Sequence, residues 1–240
     1  LLQNKYYTKL LLSEIGLPVV PYFYFSLKDY KRDVFTVLEK SSELGYPLIV
    51  KPVSLGSSIG IKIAEDRDEL IKALNYVVKY DDDIIVEKKL VGYRELNQAV
   101  LKTDGEHRLS EIEEVKSGNA FLTFDDKYLP VDSSREIPAN LSPSLAGAVA
   151  AASERIATAF RTQGVIRIDY LYDTAEEVLY VNEINTIPGS LAFYLFEEKT
   201  PFPDLINKMI NQAVKDKYDK DLKVTSFPSN VLFTKSGLKK

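Results

Sequence analysis

The strongest constraint on this chain lies between residues 165 and 185. Val165-Ile166-Arg167-Ile168-Asp169-Tyr170 is followed by Tyr180-Val181-Asn182-Glu183-Ile184-Asn185. Both stretches read as strands, Val165–Tyr172 and Val178–Asn185, joined by a hairpin turn over Asp173 to Glu177. Side chains alternate faces along a strand, so Arg167 and Asp169 share one face, and Glu183 and Asn185 share one face. If Asp173 stands opposite Leu179, then Asp169 faces Glu183 and Arg167 faces Asn185. Two carboxylates directly opposite repel each other, and a divalent cation reverses that cost. Oxygen ligands from Asp169, Glu183 and Asn185 suit magnesium, which takes one or two carboxylates together with substrate phosphates. A merely solvated charged face is the competing reading. Against it, Ile166, Ile168 and Ile184 line the opposite face, and a long helix precedes the pair.

Two weaker features sit upstream. A strand over Tyr46 to Pro52 ends on Lys51 and runs into Gly56-Ser57-Ser58-Ile59-Gly60. Glycines let backbone amides approach an anion, serines add donors and Lys51 adds charge, so the segment is a candidate phosphate cradle. It is neither a Walker A loop nor a dinucleotide fingerprint, because the strand-like Ile61-Lys62-Ile63 follows in place of a helix. An ordinary hairpin loop is the alternative. The second feature is Ile84 to Leu90, then Gly92-Tyr93-Arg94-Glu95. A strand emerging into a polar connector can offer backbone groups and a carboxylate to a base and ribose, or can be a plain edge strand.

The remaining pattern is mixed. Helices are expected over 4–15, 29–44, from Asp66, over 142–160 and from about 204 to 217. The helix from Asp66 opens on a capping pair with Glu69. Further strands are expected over 84–87, 95–101 and 108–116, the last exposed and paired across the Asp104-Gly105 turn. Residues 118–141 have no clear period, and loops of that length are usually functional or disordered. Helices beside hairpins argue for an α+β fold over a doubly wound parallel sheet. The expected division is a leading helix and connector (1–18), a small unit (19–102), a larger unit carrying the metal site (103–218) and a tail (219–240).

Composition closes off several functions. The 240 residues carry a net charge of −4, with no cysteine and one histidine. Thiolate catalysis, cysteine metal sites and a histidine triad drop out, and no basic patch marks a nucleic-acid binder. No apolar run approaches a membrane span and no signal peptide is visible, so a cytoplasmic location is expected.

Taken in order, these pieces resemble the D-alanine–D-alanine ligase family of the ATP-grasp superfamily. The resemblance rests on Asn4-Lys5, Lys9 and Gly16-Leu17-Pro18, then Pro47-Leu48-Ile49-Val50-Lys51-Pro52 and the Gly-Ser-Ser loop. Val86-Glu87-Lys88, Arg94-Glu95, Asp126-Lys127-Tyr128, Arg167-Ile168-Asp169 and Asn182 to Gly189 complete it. It covers about residues 4–190. It implies two α+β subdomains clasping ATP. Lys5, Lys51 and Lys127 would contact the nucleotide, with Ser57 and Ser58 in a loop closing over the phosphates. Glu87 would meet the adenine amino group, with Lys88 and Leu90 beside it, and Glu95 the ribose. Asp169, Glu183 and Asn185 would hold two magnesium ions, or manganese. Arg167 and the Gly189 amide would stabilise a tetrahedral intermediate, while Ser57 and Tyr128 would position the amino acids. The implied reaction joins two small amino acids through an acyl phosphate, with 118–141 as a lid, in a homodimer.

The chain also departs from the family pattern. It starts at the helix after the family's N-terminal domain, and its Gly92–Glu95 connector is one residue longer. Tyr194 stands where the family has a serine, and Arg135 has no counterpart. A ligase for another carboxylate and amine, and a nucleotide-binding module without turnover, are the alternative expectations.

Overall fold

The computed structural model describes residues 2–116, 134–198 and 200–226. Helix α1 (Lys5–Glu14) begins at Asn4, whose side chain accepts a hydrogen bond from the Tyr7 amide. Its buried residues face two ways. Leu12 enters the larger hydrophobic core, whereas Lys9 reaches Glu87 of the smaller sheet. The Lys5 amide donates to the Val53 carbonyl, so α1 is tied to the strand that carries Lys51.

The first sheet has four antiparallel strands, β1 (Tyr22–Ser26), β2 (Leu48–Pro52), β3 (Lys62–Ala64) and β4 (Asp83–Lys88), in the order β1-β4-β2-β3. Three helices accompany it: α2 (Leu27–Arg32), α3 (Val34–Ser42) and α4 (Arg67–Val77). Leu48, Val50, Ile84 and Val86 pack with Leu70, Leu74 and Val77 of α4 in one fully buried cluster. The sequence suggested one helix over 29–44; Asp33 divides it. The Asp33 backbone is extended, and its side chain accepts from the Thr36 amide and caps a new helix. Of the expected capping pair at Asp66, one half forms: the Glu69 amide donates to the Asp66 carboxylate, while the Glu69 carboxylate accepts from the Glu65 amide.

The second sheet has five antiparallel strands, β5 (Tyr93–Thr103), β6 (Glu106–Lys116), β7 (Ser134–Glu136), β8 (Val165–Asp173) and β9 (Val178–Asn185), in the order β7-β6-β5-β8-β9. The change of sheet falls between Lys88 and Tyr93. On one face Leu96, Val100, Ile166, Ile168 and Tyr170 pack against α5 (Pro143–Ala159). The other face carries the polar residues. A short 3₁₀ segment (Gly189–Leu195) and α6 (Phe202–Asp221) follow, and Ala192, Leu195 and Leu205 cover Ala99 and Leu101 at one end of that polar face. Helix α6 extends beyond the expected 204–217 at both ends.

Two further differences from the sequence reading concern the second sheet. The β8–β9 hairpin starts one residue out of the expected register, with Asp173 opposite Val178. A bulge that leaves Asn182 unpaired then restores it, so Asp169 does face Glu183 and Arg167 does face Asn185. Strand β6 is not an exposed strand: Glu113 is fully buried and Ser110 and Glu114 are buried. Of the expected 118–141 lid, residues 118–133 lie outside the described residues, and Ser134–Glu136 form β7 on the edge of the second sheet.

Candidate functional site

A cleft of about 910 Å³, counting the solvent at its mouth, opens between the two sheets. Val20, Ile49, Leu90 and Leu171 give it apolar walls, and Lys5, Lys51, Lys88, Glu87, Glu95 and Glu183 give it charge. Ser57 and Ser58 line the same cleft. Lys5, Lys51, Ser57, Ser58, Glu87, Lys88, Leu90 and Glu95 are therefore brought together as the sequence suggested. Lys127 and Tyr128 lie outside the described residues.

Glu87 is the electrostatic centre of the first sheet's side. It is 2% exposed and stands opposite Ile49 on β2 and Tyr22 on β1. Its Oε2 lies 2.8 Å from Lys51 Nζ, and its Oε1 lies 3.2 Å from Lys9 Nζ. The two lysines thus share one buried carboxylate, each pairing with a different oxygen. Burial pushes the Glu87 carboxyl up, but Lys51 and Lys9 outweigh it and hold the carboxyl below its ordinary range. Burial lowers Lys9 and Lys5, each only partly opposed by nearby carboxylates. Lys9 belonged to the opening motif but had no expected role; its spacing from Lys5 gives one helical turn, which puts both on the side of α1 facing the first sheet.

The serine loop follows β2. Ser57 and Ser58 both have positive φ, at 54° and 59°. Lys5 Nζ donates to the Leu55 carbonyl, which fastens the loop's start to α1. Gly60 closes the loop at φ 75°, and a Cβ there would sit 3.1 Å from Pro52 Cγ and from the Tyr80 ring. That position requires glycine for its backbone and for its space.

On the second sheet, the polar face is built in rows. Glu113, Asn97, Asp169 and Glu183 are successive partners across β6, β5, β8 and β9. Arg167 clasps Asp169 with two hydrogen bonds, Nε to Oδ1 at 2.7 Å and Nη2 to Oδ2 at 2.9 Å. Asn185 Nδ2 donates to the same Oδ2 at 2.9 Å. Burial opposes the Arg167 charge, but Asp169 more than compensates and its pKa is raised. Glu183 lines the cleft, whereas Asp169, Asn185, Arg167 and Gly189 do not. Glu183 and Asn185 also border an adjoining depression with Lys5 and Gly56.

The donor set fits a hard divalent cation. Two carboxylates and an amide oxygen come from adjacent strands, and Asp169 Oδ1 accepts one hydrogen bond among the described residues and keeps a lone pair. Among the described residues no group of three or more His, Cys, Asp or Glu could hold a metal by itself. Two protein carboxylates leave the remaining positions to phosphate oxygens and water, which is magnesium's usual arrangement.

Gly189 opens an unusual turn. Ser190, Leu191 and Ala192 all have left-handed backbone angles, with φ of 51°, 53° and 50°. Such a conformation costs roughly 1–2 kcal/mol per residue, and sequence alone gave no sign of it. Asn182, Leu171 and Tyr93 also line the cleft without having been singled out as site residues. Leu171 was recoverable from the alternation that pairs Arg167 with Asp169; Asn182 was not, because its direction comes from the bulge.

The family described as "D-ala D-ala ligase C-terminus" matches residues 11–211. The chain belongs to this family. D-Ala–D-Ala ligase relatives agree with the match. The D-alanine–D-alanine ligase of Thermosipho africanus is 37% identical over 95% of this chain, and that of Acetivibrio thermocellus is 35% identical over 92%. The chain spans 62% and 59% of those two relatives. Among solved structures, the D-alanine–D-alanine ligase of Coxiella burnetii is similar over 92% of this chain and 59% of its own, at 29% identity and a TM-score of 0.71. The VanG D-Ala:D-Ser ligase of Enterococcus faecalis is similar over 88% and 62%, at 27% identity and a TM-score of 0.73. The two sheets and their cleft are thus the ATP-grasp fold of the D-Ala–D-Ala ligase C-terminus.

Proposed function

We propose that the chain carries the nucleotide- and metal-binding part of an ATP-dependent ligase that joins D-alanine to D-alanine for cell-wall synthesis. The observation that carries this reading is Glu183, which lines the cleft together with Lys5 and Lys51 and stands opposite Asp169 on the neighbouring strand. Family membership supplies the reaction class. The apolar walls at Ile49, Leu90 and Leu171 suit an adenine ring, with Glu87 and the β4 backbone at its edge. Glu95 suits the ribose, and Lys5, Lys51, Lys127 and the Ser57-Ser58 loop suit the phosphates.

In this account, Asp169, Glu183 and Asn185 would hold two magnesium ions, which would supply positive charge to the phosphates. The first D-alanine's carboxylate attacks the γ-phosphate and expels ADP. The second D-alanine's free amine attacks the acyl phosphate carbon, and inorganic phosphate leaves. Arg167 and the Gly189 amide meet the oxygen that becomes negative on the way. Ser57 and Tyr128 position the amino acids. Phosphate is a good leaving group, so no protein nucleophile is needed, and the protein works by charge neutralisation and positioning. A cytoplasmic homodimer fits this reaction.

A second reading keeps the mechanism and changes the amino acid that supplies the amine. It is favoured by Tyr194, which stands where the family has a serine and whose hydroxyl donates to Glu113. Phosphate release from magnesium-ATP by the complete protein, first with D-alanine and then with other amino acids, tests both. Release that depends on D-alanine supports the first reading; release with another amino acid alone supports the second. No release with any of them, despite magnesium-dependent ATP binding, contradicts both and favours a nucleotide-binding module without turnover.

A further inference from the structure

Glu113 is a buried carboxylate that the mechanism above does not use. It is fully buried, at 0% exposure. Three side chains converge on it. Asn97 Nδ2 donates to Oε2 at 2.9 Å, the Tyr194 hydroxyl donates to the same oxygen at 3.1 Å, and Arg135 Nη1 lies 3.3 Å from Oε1. The Arg135 guanidinium also lies over the Tyr194 ring, 5.6 Å from its centre. Tyr194 is therefore held at both ends, its hydroxyl by a carboxylate and its ring by a cation.

What Tyr194 is held against gives the arrangement its meaning. Tyr194 closes the 3₁₀ turn with Leu195, and that turn packs on β8, β6 and β5. Arg167 is the cross-strand partner of Ala99, which that turn covers, so Tyr194 and the Arg167 guanidinium share one face of the sheet and act on each other electrostatically. Arg167 in turn points its Nε and one Nη at Asp169. Burying a carboxylate is costly unless it is paired and hydrogen-bonded. Hydrophobic residues of similar size would fill that space at less cost, and the cost is met here at a point two contacts from the proposed reacting carbonyl.

We propose that Glu113 is a positioning residue for the ligation step: it anchors the Tyr194 hydroxyl beside Arg167, and so fixes the guanidinium that faces the tetrahedral carbon. The inference rests on the proposed ligase reading. Arg135 completes the anchor from the edge strand β7. No bond forms or breaks at Glu113, and its effect passes through Tyr194.

The test is a double-mutant cycle in the complete protein with Tyr194→Phe and Glu113→Gln, reading dipeptide formation, ATP KM and amino-acid KM separately. Tyr194→Phe keeps the ring under Arg135 and removes only the hydroxyl. It is expected to lower kcat by about tenfold to a hundredfold while ATP KM and the melting temperature stay close to wild type. Glu113→Gln is expected to lower kcat similarly, and the double variant to be no slower than the slower single. Tyr194→Phe with wild-type kcat and amino-acid KM overturns the proposal, as do losses that multiply in the double variant. Should Glu113→Gln fail to fold, Tyr194→Phe decides alone, since it deletes the same hydrogen bond from the other end. A wild type that forms no dipeptide with any amino acid overturns the ligase reading, and this inference with it; an active wild type with unaffected variants overturns the inference alone.

Discussion

Asp169 and Glu183 stand directly opposite each other in the pairing of β8 with β9, and Asp169 is clasped on its own strand by Arg167. Unlike charges at that distance stabilise a sheet and like charges oppose it, so this pair has a built-in cost that a cation removes.

Glu183→Gln should therefore separate folding from function. The substitution removes the cross-strand repulsion, so the melting temperature should hold or rise slightly, in line with the roughly 0.2–1 kcal/mol of a cross-strand pair. Magnesium-dependent turnover should fall by at least about 10²-fold, the scale of losing one preorganised charge-stabilising group. Near-normal phosphate release by this variant would remove Glu183 from the metal site.

Asn97→Asp tests the row from its middle. Asn97 is 3% exposed, donates to Glu113 and sits between Glu113 and Asp169 in the strand pairing. An aspartate there makes a row of four carboxylates with Glu113, Asp169 and Glu183, and deletes the donor. The expected loss at neutral pH is about 3–5 kcal/mol, as for a buried charge left without its partner. Urea unfolding at pH 7 and pH 5 checks it: the deficit should shrink at the lower pH as the new carboxyl takes up a proton. An equal deficit at both pH values would mean that charge is not the cause.

Glu87 predicts an acid limb in stability. Its folded pKa is depressed, with burial opposing and Lys51 and Lys9 prevailing. The stability it contributes is thus present above the unfolded carboxyl value of about 4.3. It is lost as pH falls through the lower folded value. In urea melts from pH 6 down to pH 2, Glu87→Gln should be less stable than wild type at the top of the range and should converge with it at the bottom. A constant difference across the range would contradict the pairing with the two lysines.

Gly60→Ala addresses the serine loop. The φ of 75° and the 3.1 Å approach to Pro52 and Tyr80 both oppose a side chain. Destabilisation of roughly 1–2 kcal/mol is expected from the backbone conformation, together with weaker ATP binding by titration calorimetry. Unchanged ATP affinity would show that the loop's shape does not serve the nucleotide.

Much of this site was legible because strand alternation is a hard geometric rule. Arg167 with Asp169, and Glu183 with Asn185, share faces whatever surrounds them, and the cleft residues Lys51 and Glu87 end up beside each other because β2 and β4 are neighbours. What was hidden depends on tertiary placement. The bulge at Asn182 corrects a register that turn counting alone puts one residue out. Asp33 looked like one more polar residue in a helix until its side chain was seen capping Thr36. Glu113 sits in a strand whose alternating charges resemble a solvated edge. One of its partners, Tyr194, stands eighty-one residues later in the chain, which no local pattern can announce.

The central claim is tested most directly by phosphate release from magnesium-ATP by the complete protein, with and without D-alanine. The account predicts release that requires both magnesium and D-alanine, with dipeptide formed in step with phosphate. Tight magnesium-dependent ATP binding with no phosphate release, for D-alanine or any other amino acid, would contradict it.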